Sequence, residues 1–181
     1  MPPEISTQPR EQQRLLLLID SERNMLEMLA NGHSLTEVLD AFARSFEVAF
    51  DGMMCSILLM EGQGKRLRHG AGPSLPAAYW QAVDGLEIGM GRGSCAASAY
   101  TGQETLVSDI ATDPLWSPDV RALALGNGVR SCWSIPVLSI RRQVLGTFAI
   151  HNHEPRVPTS SELHAIRRGA YMVGLAIEHD R

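Results

Sequence analysis

The sequence predicts an α+β domain: one antiparallel sheet, terminal helices on one face, and a cap of helix and loop on the other. Three observations predict it. Long helical periodicity is confined to the two ends of the chain. Apolar runs of strand length come as hairpin-like pairs, within 53–72 and 129–151. Between them lie short helices punctuated by glycine. The 181 residues suit one domain, and a hydrophobic content of 44% is enough for a core.

Residues 1–11 carry Pro2, Pro3 and Pro9 and few apolar groups, so they are expected to form a disordered lead. Residues 12–181 then form a single domain. From Gln12 to about Ala30, Leu15, Leu18, Met25 and Leu29 recur at helical spacing, with Glu22 interrupting the stripe. Ser34-Leu-Thr-Glu37 is a capping box. It opens a helix whose apolar face holds Leu35, Val38, Leu39, Phe42 and Phe46.

Met53 to Met60 reads as a strand, closed by the turn Glu61–Gly64, and Lys65 to Gly72 returns beside it. Pro76, near N1, starts a short helix to Val83. Leu86–Ile88 is a brief strand. Ser94–Thr101 is helical, with Gly102 as its C-terminal stop. Thr105–Val107 is another strand. Ser117-Pro118 starts a helix that ends near Gly126. Val129–Leu138 and Gln143–His151 are adjacent strands. A second capping box at Thr159–Glu162 opens the last helix. Its stripe is Leu163, Ile166, Ala170, Val173 and Ile177, a seam able to pair with another helix.

Several function classes are excluded. A net charge of −4 and a pI near 5.8 leave no basic footprint for nucleic acid. Arg66/Arg68, Arg141/Arg142 and Arg167/Arg168 read as solvated faces. The start carries no basic region before an apolar core, and LLLLI at 15–19 is too short to span a bilayer. Three cysteines, Cys55, Cys95 and Cys132, fit free thiols in a reducing cytoplasm. Gly89, Gly91 and Gly93 match neither a P-loop nor a dinucleotide fingerprint, and read as permissive backbone before a tight helix start. Asp109 and Asp113 read as loop residues bonding local amides. His151 and His153 share a face if the strand reaches that far, with Cys132 a conceivable third metal ligand; a strand end passing into a loop is the plainer reading. His33, His69, His164 and His179 read as surface or cap residues.

The order of these elements resembles a GAF domain, over about residues 33–178. Met54–Met60 (MCSILLM) looks like its first strand, and Gly91–Cys95 (GRGSC) like its glycine turn. Asp109–Pro114 (DIATDP) is similar to the loop before the next helix. Arg130–Pro136 (RSCWSIP) and Gly146–Ile150 (GTFAI) are similar to the last two strands. The resemblance implies a profilin-like fold and a sensory module upstream of an output domain, of histidine kinase or cyclic-dinucleotide (GGDEF/EAL) type. Signalling in a two-component or cyclic-di-GMP system is what it implies. The last residues, Glu178–Arg181, show no stop signal, consistent with a fragment of a longer protein.

One branch of the family is an enzyme, free methionine-(R)-sulfoxide reductase. Cys95 matches the cysteine of its glycine turn. The loop that holds its catalytic cysteine here reads Ala122–Asn127, with no thiol. Its substrate carboxylates fall on Cys132, Ala149 and His151, none of them acidic. A haem- or metal-bound sensor is the third class. Bilin attachment and the cyclic-nucleotide motif find no match. No cofactor is named by the sequence.

Strand parity maps a candidate pocket. Val144, Gly146, Phe148 and Ile150 are expected to face the terminal helices, with Trp133 and Ile135. Thr147, Ala149, His151, Cys132 and Ser134 then face the middle segment. By resemblance Met54, Ser56 and Leu58 join them. Cys95 is placed there by its glycine turn, and Trp116 and Arg130 would line or close the mouth. That wall suits a small, largely uncharged ligand; the alternative is a cavity filled by its own side chains, in a domain that only dimerises or relays a signal. The free ends of the first and last helices, through Leu15, Leu18, Val173 and Ile177, are expected to pair in a homodimer.

Overall fold

Local signals place the elements. In the computed structural model, which describes residues 8–61 and 63–181, a first helix α1 (Gln8–Ala30) leads to α2 (Leu35–Ala49). Both halves of the predicted capping box form: Ser34 Oγ accepts from the Glu37 amide, and the Glu37 carboxylate accepts from the Ser34 amide. Two strands follow, β1 (Met53–Met60) and β2 (Arg66–Ala71), then α3 (Ala77–Val83) and β3 (Leu86–Glu87). The middle continues through α4 (Ser94–Thr101), β4 (Thr105–Val107) and α5 (Pro118–Gly126). The chain closes with β5 (Ser131–Leu138), β6 (Val144–Asn152) and α6 (Ser160–Asp180), whose capping box at Thr159 and Glu162 also forms.

Six strands form one antiparallel sheet in the order β3-β2-β1-β6-β5-β4. This is the predicted α+β architecture. The expected lead is corrected at residues 8–11, which begin α1, while residues 1–7 lie outside the described part. Pro9 is compatible with a helix there, because the first turn has no partner for its N–H in any case. Pro76 is the residue before α3, not its first turn.

Alternation along the strands splits the core in two. On the helix side, Cys55 and Ile57 of β1, Trp133 and Ile135 of β5, and Phe148 and Ile150 of β6 meet α2 and α6. The centre is aromatic: Phe46 meets Phe148 edge-on at 5.0 Å and stacks on Phe50 at 4.8 Å. On the cap side, Met54, Leu58, Cys132 and Ala149 meet Cys95, Ala99, Ile110 and Trp116.

Parity holds along β6 until a register shift between Val137 and Leu138. Gly146 pairs with Val137 and Val144 with Leu138, so Leu145 is the extra residue. The strand therefore turns over at its start. Leu145 packs among the helices and Val144 against the cap, the reverse of the expected placement of Val144. Gly146 is required where β6 pairs with β1, because a Cβ there would stand 2.1 Å from the Leu58 carbonyl oxygen.

The terminal helices differ from expectation in one respect. α2 and α6 lie on the sheet, and α1 rides over them. It is held by the Glu22–Arg168 ion pair and by Arg14, whose Nε donates to the Ala49 carbonyl at 3.1 Å. Val173 and Ile177 are 0% and 6% exposed, packed in their own chain's core. Their predicted role in pairing two chains is corrected: a side chain already buried against Trp133 and its neighbours has no surface left for a second copy. Leu18 is half-buried against the same core, while Leu15 is 58% exposed. The arginine clusters lie largely on solvated faces, with Arg66 paired to Glu87 and Arg68 to Glu61 and Asp84.

Candidate functional site

A narrow cavity lies between the sheet and the cap. Its volume is about 20 Å³, room for roughly one water. Ser56, Leu58, Cys132 and His151 form its floor, from three adjacent strands. Cys95 and Ser94 enter from the start of α4, and Trp116 from the loop before α5. The roof is α3, through Tyr79, Trp80 and Val83.

Three local devices position these groups. The glycine turn is one. Gly91 and Gly93 have φ of +78° and +93°, the permissive backbone expected. Gly93 also lies under the Trp116 indole, where a Cβ would sit 3.3 Å from the ring. Backbone bonds then tie the turn to the 115–117 loop: Gly93 N donates to Leu115 O at 3.5 Å and Ser117 N to Gly91 O at 3.0 Å.

The second device is Arg121, on α5. Its guanidinium donates to the carbonyls of Ile110, Asp113 and Trp116 at 3.1, 2.8 and 2.8 Å, clasping the loop that carries Trp116. Asp109 and Asp113 brace the same loop by accepting from the amides of Ala111 and Leu115, as expected. The third is Ser94, whose Oγ donates to the Cys132 carbonyl at 3.3 Å and fastens the start of α4 to β5.

His151 is the most constrained polar group. It is 2% exposed, its Nε2 lies 2.8 Å from Ser56 Oγ, and its ring meets Tyr79 edge-on at 5.8 Å. Burial pushes its pKa down to about 4, so the imidazole is neutral near pH 7. The Ser56–His151 contact has the spacing of a nucleophile and base. The orienting acid is missing: His151 Nδ1 is buried with no partner. Trp116 Nε1 and His69 Nδ1 are also buried without partners, and both residues line the cavity. Three residues of this wall thus each carry a buried polar atom with no partner.

The thiols of Cys95 and Cys132 are both buried, and both residues line this wall. The contact with Cys132 holds the Cys95 pKa below the ordinary thiol value, with the hydroxyls of Ser134 and Thr147 adding to it against the effect of burial. Cys132 is pushed well above that value by Cys95 and by burial. Burial likewise raises Tyr79 and keeps its phenol protonated.

Of the predicted pocket residues, Ser56, Leu58, Cys95, Trp116, Cys132 and His151 line the cavity. Met54, Ser134, Thr147 and Ala149 face the cap as expected but are buried behind the wall. Arg130 does not reach it; its guanidinium pairs with Asp109 at 3.6 Å, and Arg92 stands at the cavity in its place. His69 is not a surface residue: it stacks on Trp80 at 4.4 Å and lines the wall. The hairpin and α3 bring these two together across eleven positions with no periodic signal. β6 ends at Asn152, and His153 beyond it contacts the Gly128 carbonyl at 2.9 Å, away from His151. Among the described residues no three histidine, cysteine or carboxylate groups are placed to hold a metal. None of their helices is long and apolar enough to cross a membrane.

Residues 34–177 match the GAF domain family. The chain is 37% identical over 173 residues to the methyl sulfide methyltransferase-associated sensor of Methanosarcina acetivorans, covering 96% of this chain and 17% of that protein. It thus spans about a sixth of the length of that relative. The GAF domain of an Acinetobacter phosphoenolpyruvate-protein phosphotransferase shares the fold, with a TM-score of 0.69 at 17% identity over 90% of this chain and 93% of that one. So does free methionine-R-sulfoxide reductase from Neisseria meningitidis, solved with its substrate, with a TM-score of 0.72 at 16% identity over 94% and 92%.

Proposed function

The chain belongs to the GAF domain family, and from that premise we propose that it is a non-catalytic sensory module. It takes a small, largely uncharged ligand between sheet and cap and passes the change to an output domain through its outer helices. The observation that carries this reading is that three residues lining one cavity each hold a buried, unpartnered polar atom, His69 Nδ1, Trp116 Nε1 and His151 Nδ1. Leaving such groups unmet costs about 1–3 kcal/mol each, and a ligand with matching donors and acceptors removes that cost.

The cavity is too small for an organic molecule as it stands, so α3 must lift. It is the element suited to do so. It has seven residues, no side-chain cap at Pro76, and Tyr79 as its one buried residue. The ligand is neutral because the wall is: His151 is uncharged, and the guanidinium of Arg92 turns to Glu87 at 3.3 Å. The name of the Methanosarcina relative, a sensor, supports the same class.

Three features support a non-catalytic reading over the reductase. Residues 122–126 are the end of α5, with no thiol. Cys132, Ala149 and His151 offer no carboxylate to an ammonium group. The Ser56–His151 pair lacks its acid.

Output is proposed to run through a cytoplasmic homodimer, to a histidine kinase or cyclic-dinucleotide enzyme. The supporting surface is α1, where Leu15, Ile19 and Leu26 are 58%, 49% and 53% exposed. Their spacing of four and seven is that of a helical seam. Native mass spectrometry of the purified chain tests both parts. A dimer carrying a small-molecule adduct, with the adduct lost in Trp116→Ala and the dimer lost in Ile19→Glu, is expected. A bare monomer at high concentration, with no stabilising compound in a thermal-shift screen, refutes the reading.

A further inference from the structure

We propose that Cys95 and Cys132 form a reversible dithiol centre that is oxidised to a disulfide by hydrogen peroxide. The inference shares a wall with the ligand site but does not depend on a ligand. Two thiols from different elements share one cavity wall here, one at the start of α4 and one near the start of β5. They line one cavity, and the bond from Ser94 Oγ to the Cys132 carbonyl clamps the two backbones together. The cavity holds about 20 Å³, which admits an oxidant little larger than water and excludes bulky ones.

The two sulfurs are unlike, and that sets their roles. Cys95 lies in the first turn of α4, where free N–H groups favour a thiolate, beside the hydroxyls of Ser134 and Thr147. Cys132 is held as the thiol by burial and by its neighbour. Cys95 is therefore the attacking sulfur and Cys132 the resolving one.

In the first step the Cys95 thiolate attacks one peroxide oxygen. The O–O bond breaks, water leaves after taking a proton, and the sulfur becomes a sulfenic acid. In the second, the Cys132 sulfur attacks the sulfenic sulfur. The S–S bond forms, the S–O bond breaks, and a second water leaves with the Cys132 proton. Two thiols and one peroxide yield one disulfide and two waters. A thiol reductant reverses the change. The linkage would draw α4 onto β5 and reshape the wall beneath α3, which gives the sensory module a second input.

Intact-mass analysis of the reduced full chain, treated with hydrogen peroxide, tests this. The expected product is about 2 Da lighter, retains Cys55 as its free thiol, and yields a linked Cys95–Cys132 peptide that dithiothreitol releases. Cys132→Ser should stall as a sulfenic acid on Cys95, trapped by a dimedone probe. Cys95→Ser should lose reaction by at least about tenfold. A wild-type chain that keeps all three thiols under excess peroxide overturns the proposal, as does a link through Cys55. The wild-type mass decides the matter even if a variant fails to fold. A thermal-shift response of the reduced protein to a screened small molecule, together with no disulfide under excess peroxide, would sink this inference and leave the sensory reading standing.

Discussion

His151 makes the stability of this domain depend on pH in a way that can be calculated. Its folded pKa is about 4 against an ordinary value of 6.5, and the cause is burial. The unfolded chain therefore takes up the proton first. Stability is whole above pH 6.5, falls as pH drops towards 4, and is level again below it. Between pH 8 and pH 5.5 the linked loss is about 1.4 kcal/mol, and by pH 4.5 it is about 2.6 kcal/mol.

The perturbation that isolates it is His151→Gln. Glutamine does not titrate, and its terminal amide can reach Ser56 Oγ in place of Nε2. Urea unfolding of both proteins at the two higher pH values gives the comparison. The wild type should lose about 1.4 kcal/mol more than the variant on going from pH 8 to pH 5.5. Other groups, His69 included, titrate in both proteins and cancel. Equal losses would mean that His151 is hydrated or paired when folded, and the picture of a dry floor with an unanswered Nδ1 would be wrong.

Two further substitutions probe the frame. Gly146→Ala places a Cβ 2.1 Å from the Leu58 carbonyl oxygen, where the two central strands pair. A loss of at least about 3 kcal/mol is expected, read by chemical denaturation or by failure to express folded protein. Arg121→Ala removes three bonds to the carbonyls of the 110–116 loop. It should cost about 2 kcal/mol, and red-shift the fluorescence of Trp116 as that ring gains solvent; an unchanged spectrum would show that the loop is held by other contacts.

Signals that are local in the chain were legible in the sequence. Ser34 and Thr159 act three residues from their partners, so both capping boxes could be read directly. Parity carried the two faces of β5 and most of β6, because alternation needs no knowledge of distant parts, while the resemblance supplied the cap-facing residues of β1. It failed at Leu145, since a bulge is set by the partner strand and not by the residue that bulges. His69, Tyr79 and Trp80 were missed as wall residues for a similar reason: only the return of α3 over the sheet brings them there. Arg121 carries no signal of its own in the sequence, since the carbonyls it clasps belong to the loop before its helix. Val173 and Ile177 show the limit of a stripe, which states that a helix face is covered but not by what. Tyr171 and Leu175, on another face of α6, are the residues left 65% and 37% exposed.

The two faces of the sheet differ in a way that bears on signalling. The helix side is filled by large rings, Trp133, Phe148, Phe46 and Phe42, and the one ring N–H among them is met, Trp133 Nε1 donating to the Arg156 carbonyl at 3.1 Å. The cap side carries small or polar neighbours of those same residues: Cys132 and Ser134 flank Trp133, and Thr147 and Ala149 flank Phe148. Each pair shares a backbone, so a strand shifted at the cavity moves a ring on the far side. Trp133 is the best placed to pass such a shift on. Its indole packs under the Arg156 guanidinium at 5.2 Å, and Arg156 grips Glu162 in the first turn of α6 at 2.7 Å. A change at Cys132, whether from a ligand or from a disulfide, thus has a short mechanical route to α6, and through the Arg168–Glu22 ion pair to α1, the helix proposed to carry the output. Trp133→Phe should cut that route while sparing most of the core. Ligand-induced or peroxide-induced changes in hydrogen exchange should then persist in α3 and fade in α6; equal fading in both would place the coupling elsewhere.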